Sequence, residues 1–232
     1  MSKGVSMSRF VSCFVAAIVG LTPLAAETSE HRKRLREADQ VLRAVRASPD
    51  QAIPQDLLDR AQCAVIVPGV KKAAFIVGAR YGKGYIVCRK KGNVGWTAPG
   101  TVRIEGGSVG FQIGGSETDV ILLVMNQQGV DRLLSSQFTL GGAAEVAAGP
   151  VGRSAKAQTD ALLTAQILSW SRSRGVFAGV SLQGATLRQD VSDNRDLYGQ
   201  TLENREIIEH DRPVPKAAKK LIESLNRYSS RK

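Results

Sequence analysis

Twenty-three glycines cut the apolar residues of this chain into short β-branched runs. A chain divided in this way favours strands and tight turns over long helices. The stretch "FIVGARYGKGYIVCRK", Phe75 to Lys90, shows the pattern at its densest. Its centre looks like a phosphate cradle, but the spacing excludes one. A P-loop has four residues between its first glycine and the Gly-Lys pair, then Ser or Thr for magnesium. Here three residues separate Gly78 from Gly82, and Gly84 holds the Ser or Thr place. A dinucleotide fingerprint opens a helix, whereas "YIVCR" is β-branched and aromatic. The stretch reads as a β-hairpin whose turn is "GARYGKG", with Arg80 and Lys83 at its tip.

The remaining text extends this pattern. "AVIVPGV" reads as a short buried strand stopped by Pro68. "TDVILLVMN" reads as a central strand, and "RGVFAGVSLQGATLR" as a second hairpin that resembles the first. "FTLGGAAEVAAGPVGR" reads as extended. Helical spacing appears at Leu35, Ala38, Val41, Leu42 and Val45, at "IPQDLLDRAQC", at "GVDRLLSS" and at "AKAQTDALLTAQILSWS". The fold class expected is α+β: a mainly antiparallel, Gly-rich, barrel-like sheet with flanking amphipathic helices near 30–47, 55–63 and 155–172. After Ile208 come a proline linker and a basic amphipathic helix with the stripe Ala218, Leu221, Ile222, Leu225 and Tyr228.

Residues 1–26 have a basic start, a short apolar run and then small residues. They read as a secretory leader cleaved after Ala26, with an uncleaved membrane anchor as the other reading. The organisation expected is a leader at 1–26, one domain at 27–210, and the linker and helix at 211–232. The chain would then be exported to the periplasm or cell envelope. Loss of Lys3 and Arg9 lowers the formal charge of +11 by 2, so the mature chain stays basic. Cys63 and Cys88 remain, and an even count in an oxidising compartment points to one disulfide, with two buried thiols as the alternative.

The chemistry of a catalyst is missing from the text. His31 and His210 both lie in charged terminal segments, outside the expected core, so no Ser-His-Asp site is expected. The cysteines lack neighbouring histidines, so neither a zinc site nor a Cys-His dyad is expected. "RQDVSDNRD" lacks the ligand alternation and glycine of a calcium loop and reads as a polar turn capping the next segment. Nothing in the text brings Glu105, Glu117, Asp119 and Asp160 together. No cofactor or metal is implied, and no basic, aromatic-interleaved motif points to nucleic acid.

The basic charge points instead to anionic partners. Arg34, Arg36, Arg43 and Arg46 belong to the first helix, which either packs on the core or enters a membrane; its apolar face lacks Trp and Phe. Lys71 and Lys72 precede the first hairpin. Arg172 and Arg174 in "SRSRG" either complement a helix C-terminus capped by Gly175 or bind a headgroup.

Linked segments carry a resemblance: "IPQDLLDRAQCAVIVPGVKKAAFIVGARYGKG", "GWTAP", "GGSVGFQIGGSETDVILLVMN", "GVDRLL", "FTLGG", "AAGPVGR" and "SWSRSRGVFAGVSLQGATLR". Together they resemble the SYLF family, also called DUF500, over about Arg34 to Ile208. Two places depart from its pattern: Ala73-Ala74 where two glycines are usual, and Trp170 where Tyr is usual. The resemblance implies a non-catalytic lipid-binding protein. Eukaryotic members bind phosphoinositides, and fungal members also bind actin. An exported bacterial member would meet other anionic phospholipids, and actin is not expected there. The lipid-binding residues expected are thus Arg34, Arg36, Arg43, Arg46, Lys71, Lys72, Arg80, Lys83, Arg172 and Arg174. The alternative is a structural or protein-interaction module of the envelope without lipid binding.

Overall fold

The structure, a computed structural model, describes residues 24–47, 53–74, 77–92, 94–109, 114–141, 146–151, 165–173, 176–180, 182 and 184–229. It is an α+β fold built on a strongly curled, half-barrel sheet. Helix α1 (Leu24–Ala47) and the short α2 (Gln55–Arg60) precede four long strands. These are β1 (Cys63–Ala74), β2 (Val77–Cys88), β3 (Gly100–Val109) and β4 (Gly114–Val124). Then come α3 (Gln127–Leu133), β5 (Gln137–Thr139), β6 (Val146–Ala148), β7 (Ile167–Ser173), β8 (Val176–Gly179) and β9 (Thr186–Gln189). Helices α4 (Val191–Tyr198), α5 (Asn204–Glu209) and α6 (Lys219–Tyr228) finish the chain.

The strand order is β5-β9-β3-β2-β1-β4-β7-β6, with β8 also on β7. All pairs are antiparallel except β6 with β7. Strict alternation gives the long strands two buried faces. Ala64, Ile66, Tyr85, Val87, Ile121 and Leu123 face the helices, joining Leu35, Val41 and Leu42 of α1 and Leu221 and Leu225 of α6. Cys63, Val65, Ile86, Val102, Leu122 and Val124 face the other way and meet Leu133 of α3 and Leu187 of β9. This second cluster joins strands from both ends of the sheet order, so it fills the inside of the curl. Cys63 and Cys88 are register partners on β1 and β2 and form a disulfide at this inner face.

Several expectations change. "GARYGKG" is not a turn: β2 runs straight through it, and its first residue, Gly78, already pairs with Ala74 of β1. Its glycines are small for packing. A Cβ on Gly84 would lie 2.2 Å from the carbonyl oxygen of Ile66, and one on Gly82 2.9 Å from the Val70 side chain. Pro68 does not end β1 either. It sits within an irregularity between Val67 and Val70, where Gly69 takes φ +60°. A bulge absorbs the missing donor that would stop a regular ladder. "ILSWSRS" is strand β7, not the end of a long helix, because Leu168 and Trp170 are buried on one face at period two; residues 152–164 lie outside the described residues. The expected second hairpin does not form, since β8 pairs with β7 while β9 pairs with β3 and β5. His31, expected outside the core, is only 4% exposed and sits against Tyr85.

Other expectations stand. The α1 stripe Leu35, Ala38, Val41, Leu42 and Val45 is buried, as are Ala218 at the N-cap of α6 and Leu221, Ile222 and Leu225 within it. The Asp190 side chain accepts from the backbone N–H of Asp193 and so caps α4. Buried Arg89 donates to carbonyls of Leu58, Ala61 and Ser229 and lies 4.1 Å over the Trp96 ring. It thereby fastens α2 and the end of α6 to the sheet. No helix among the described residues is long and apolar enough to cross a membrane.

Candidate functional site

The described basic residues among those singled out above have two kinds of surroundings, one on each face of the sheet. On the outer face, under α1 and α4, Arg34, Lys83, Arg103, Arg172 and Arg188 meet carboxylates. Arg34 of α1 is 2.6 Å from Asp193 and 3.3 Å from Glu30. Lys83 of β2 is 2.7 Å from Asp193 and 3.1 Å from Asp190. Arg103 and Arg188 both reach Glu105. Arg172 of β7 donates to Asp119 at 2.6 to 2.7 Å, and Asp119 also accepts from the bulge N–H of Gly69. Arg43 is 2.9 Å from Asp39, whose other oxygen accepts from Ser224 of α6.

Proton affinities follow these contacts. Burial alone would raise the Asp190 carboxyl, but hydrogen bonds from Ser192, Lys83 and the backbone N–H of Asp193 outweigh it and hold it below its ordinary value. Burial would lower Lys83, yet its bonds to Asp193 and Asp190 raise it. His31 is lowered chiefly by burial, against the pull of Asp193.

A cleft of ≈ 500 Å³ opens here, lined by His31, Arg34, Lys71, Tyr81, Lys83 and Asp193 among others. His31, Asp193 and Asp196 bring ligand-type atoms within 4.8 Å of one another. They are poorly disposed toward a metal ion, because both Asp193 oxygens already hold cations at 2.6 and 2.7 Å. The His31 Nδ1 also lies 3.1 Å from the Tyr85 hydroxyl. A metal would have to displace one of these groups.

The inner face is different. Lys72 and Arg80 are register partners across β1 and β2, two like charges directly opposite each other. Register extends the row to Ser116 of β4 and Gly106 of β3. Burial lowers both cations, and Arg80 lowers Lys72 further. The Arg80 Nε is buried and has no hydrogen-bond partner among the described residues. The outer row beside it reads Glu117, Lys71, Tyr81 and Glu105, with a carboxylate at each end.

Of the remaining expected residues, Arg36 is exposed on α1. Arg46 lies in α1, but its side chain is outside the described residues, as is Arg174. Arg172 is on a strand, not at a helix C-terminus. Arg80 and Lys83, placed together at a tip by the sequence reading, lie in mid-strand and point to opposite faces. Sequence reasoning missed Asp193 as the shared acceptor; its 110-residue separation from Lys83 leaves no local signal.

The profile of the family described as "Ysc84: Las17-binding protein actin regulator" matches residues 105–228. The chain belongs to the Ysc84 family. The human SH3 domain-containing YSC84-like protein 1 is 33% identical over 209 residues, covering 90% of this chain and 60% of that protein. Protein YSC84 of Saccharomyces cerevisiae is 35% identical over 210 residues, covering 87% of this chain and 43% of that protein. LAS seventeen-binding protein 3 of the same species is 37% identical over 172 residues, covering 72% and 37%. The chain thus spans about three fifths or less of the length of these relatives. Ysc84 relatives carry names of binding and regulatory proteins, and the SYLF resemblance read from the sequence agrees with this assignment.

Proposed function

We propose that this Ysc84 domain is a non-catalytic binding module that docks on anionic phospholipid surfaces. One observation carries the reading: Lys72 and Arg80 share a sheet face without a carboxylate partner among the described residues, in a chain of formal charge +11. Exposed Lys71 and Arg36 add charge nearby and on α1. The apolar face of α1 is packed inside the protein, so α1 contributes exposed cations rather than an inserted stripe. Arg34, Lys83 and Arg172 are held by the protein's own acids and contribute little free charge. We further place the domain outside the cytoplasm, where the leader-like residues 1–26 would deliver it and where the Cys63–Cys88 disulfide is stable. In that setting actin is not expected as a partner.

The test is co-sedimentation of the full chain with phosphatidylglycerol and with phosphatidylcholine vesicles over a salt series. Binding to the anionic vesicles that weakens steeply with salt supports the reading. The relatives' names favour a second reading, a protein-interaction module. Absence of vesicle binding at every salt concentration would select it.

A further inference from the structure

We propose that the row Ser116–Lys72–Arg80–Gly106, on the inner face of the curled sheet, is a binding site for a phosphate group. Alternation fixes the facing of each position. Val120, Leu122 and Val124 of β4, Ile86 of β2 and Val102 and Ile104 of β3 all lie in the inner cluster. Ser116, Arg80 and Gly106 keep the same parity on these strands, and the β2–β3 register is continuous from Val77 to Ile86. Lys72 lies on that face as the register partner of both Ser116 and Arg80.

Moving outward from the apolar interior, the described inner positions turn polar and small. Thr118 opposes Val70, Ser116 opposes Lys72, and Gly106 and Gly78 flank or follow Arg80. Ser171 and Ser173 of β7 share this parity, because Ser171 opposes Val120. Among the described strand residues, the inner face carries no carboxylate; Glu105, Glu117 and Asp119 all have the opposite parity. Like charges placed directly opposite each other repel. An arginine Nε buried without a partner forgoes a strong, charge-assisted bond. Both penalties vanish when one anion sits between the two side chains. A phosphate oxygen accepts from the guanidinium fork of Arg80 and from the ammonium of Lys72, and the hydroxyls of Ser116 and Thr118 are further donors at the rim. On the outer face, by contrast, Arg34, Lys83 and Arg172 already meet carboxylates.

The phosphate belongs either to a lipid headgroup, which rests on the membrane reading above, or to a soluble phosphomonoester. The experiment separates the two. The full chain is titrated with inorganic phosphate in a phosphate-free buffer while the Arg80 Nε–H resonance is followed; R80Q identifies the signal. The same proteins are sedimented with phosphatidylglycerol vesicles. A saturable shift that K72Q abolishes, with vesicle affinity lowered about tenfold or more in K72Q/R80Q, supports the site and a lipid source. A saturable shift with no vesicle binding by the wild type supports the site with a soluble source and removes the membrane reading. Absence of a saturable shift overturns the site. Vesicle binding equal in wild type and K72Q/R80Q overturns it as the lipid contact and leaves the membrane reading to Lys71 and Arg36. Circular dichroism of the variants confirms folding, and S116A, a milder change, lowers phosphate affinity in the same direction.

Discussion

The two faces of β2 bear cations three residues apart with opposite fates. Lys83 points toward the helices and is bound by Asp190 and Asp193, both buried. Arg80 points into the curl, opposite Lys72, with a buried Nε that no described group satisfies. The strand, the spacing and the residue types are alike; the neighbours differ. A cation held by its own protein's carboxylates stabilises the fold and is neutralised toward outside anions. A cation set beside another cation weakens the fold and is available to an anion. Counting basic residues in a sequence cannot distinguish these cases, and their net effect on ligand binding is opposite.

Substitutions separate the faces by size of effect. The largest loss belongs to Gly84→Ala, which touches the frame both faces share. Its Cβ would lie 2.2 Å from the Ile66 carbonyl oxygen, so β1 and β2 must part, at about 3 kcal/mol or more by urea unfolding. If this variant kept full stability but lost anion binding, the glycines would serve ligand approach rather than packing. Asp193→Ala comes next. It strips an acceptor from Arg34 and Lys83 together and lowers stability by about 2 to 3 kcal/mol. Vesicle affinity should rise in this variant, because two cations are released; a fall would contradict the division of the faces. Arg172→Gln follows at about 1 kcal/mol, since Asp119 keeps its bond from the Gly69 N–H.

The smallest expected effect is pH-dependent and confined to the helix-facing side. Burial holds His31 below its ordinary 6.5, so the folded state prefers the neutral ring. Its contribution is complete above 6.5 and is lost as pH falls toward the lower folded value. Urea midpoints at pH 7.5 and 5.5 should differ more for the wild type than for His31→Asn. Equal differences would show that His31 does not titrate against the fold in this window.

Much of the scaffold was legible because its causes are local. The α1 and α6 stripes, the apolar β4, the Asp190 cap and the Cys63–Cys88 pair all rest on short-range periodicity, turn chemistry or cysteine arithmetic. The failures share another cause. "GARYGKG" imitates a turn, but its glycines answer to the backbone of β1 across the ladder. "ILSWSRS" continues a helical spacing, yet pairing with β4 makes it a strand. At the candidate site the basic residues could be read from the text, but their partners could not, since these come from segments up to 159 residues away. Facing, which decides between a paired and an unpaired cation, depends on register, and register is a property of two strands at once.

One crossed comparison tests the central claim most directly: Lys83→Met and Lys72→Met, each measured for stability and for affinity to phosphatidylglycerol vesicles. The two changes remove the same charge from the two faces of neighbouring strands. Lys83→Met should lower stability by about 2 kcal/mol, leaving Asp190 and Asp193 short of a partner, with vesicle affinity unchanged. Lys72→Met should leave stability unchanged or slightly higher, by relieving repulsion with Arg80, while vesicle affinity falls about fivefold. The reverse pattern, with Lys83→Met impairing binding and Lys72→Met impairing stability, would contradict the account.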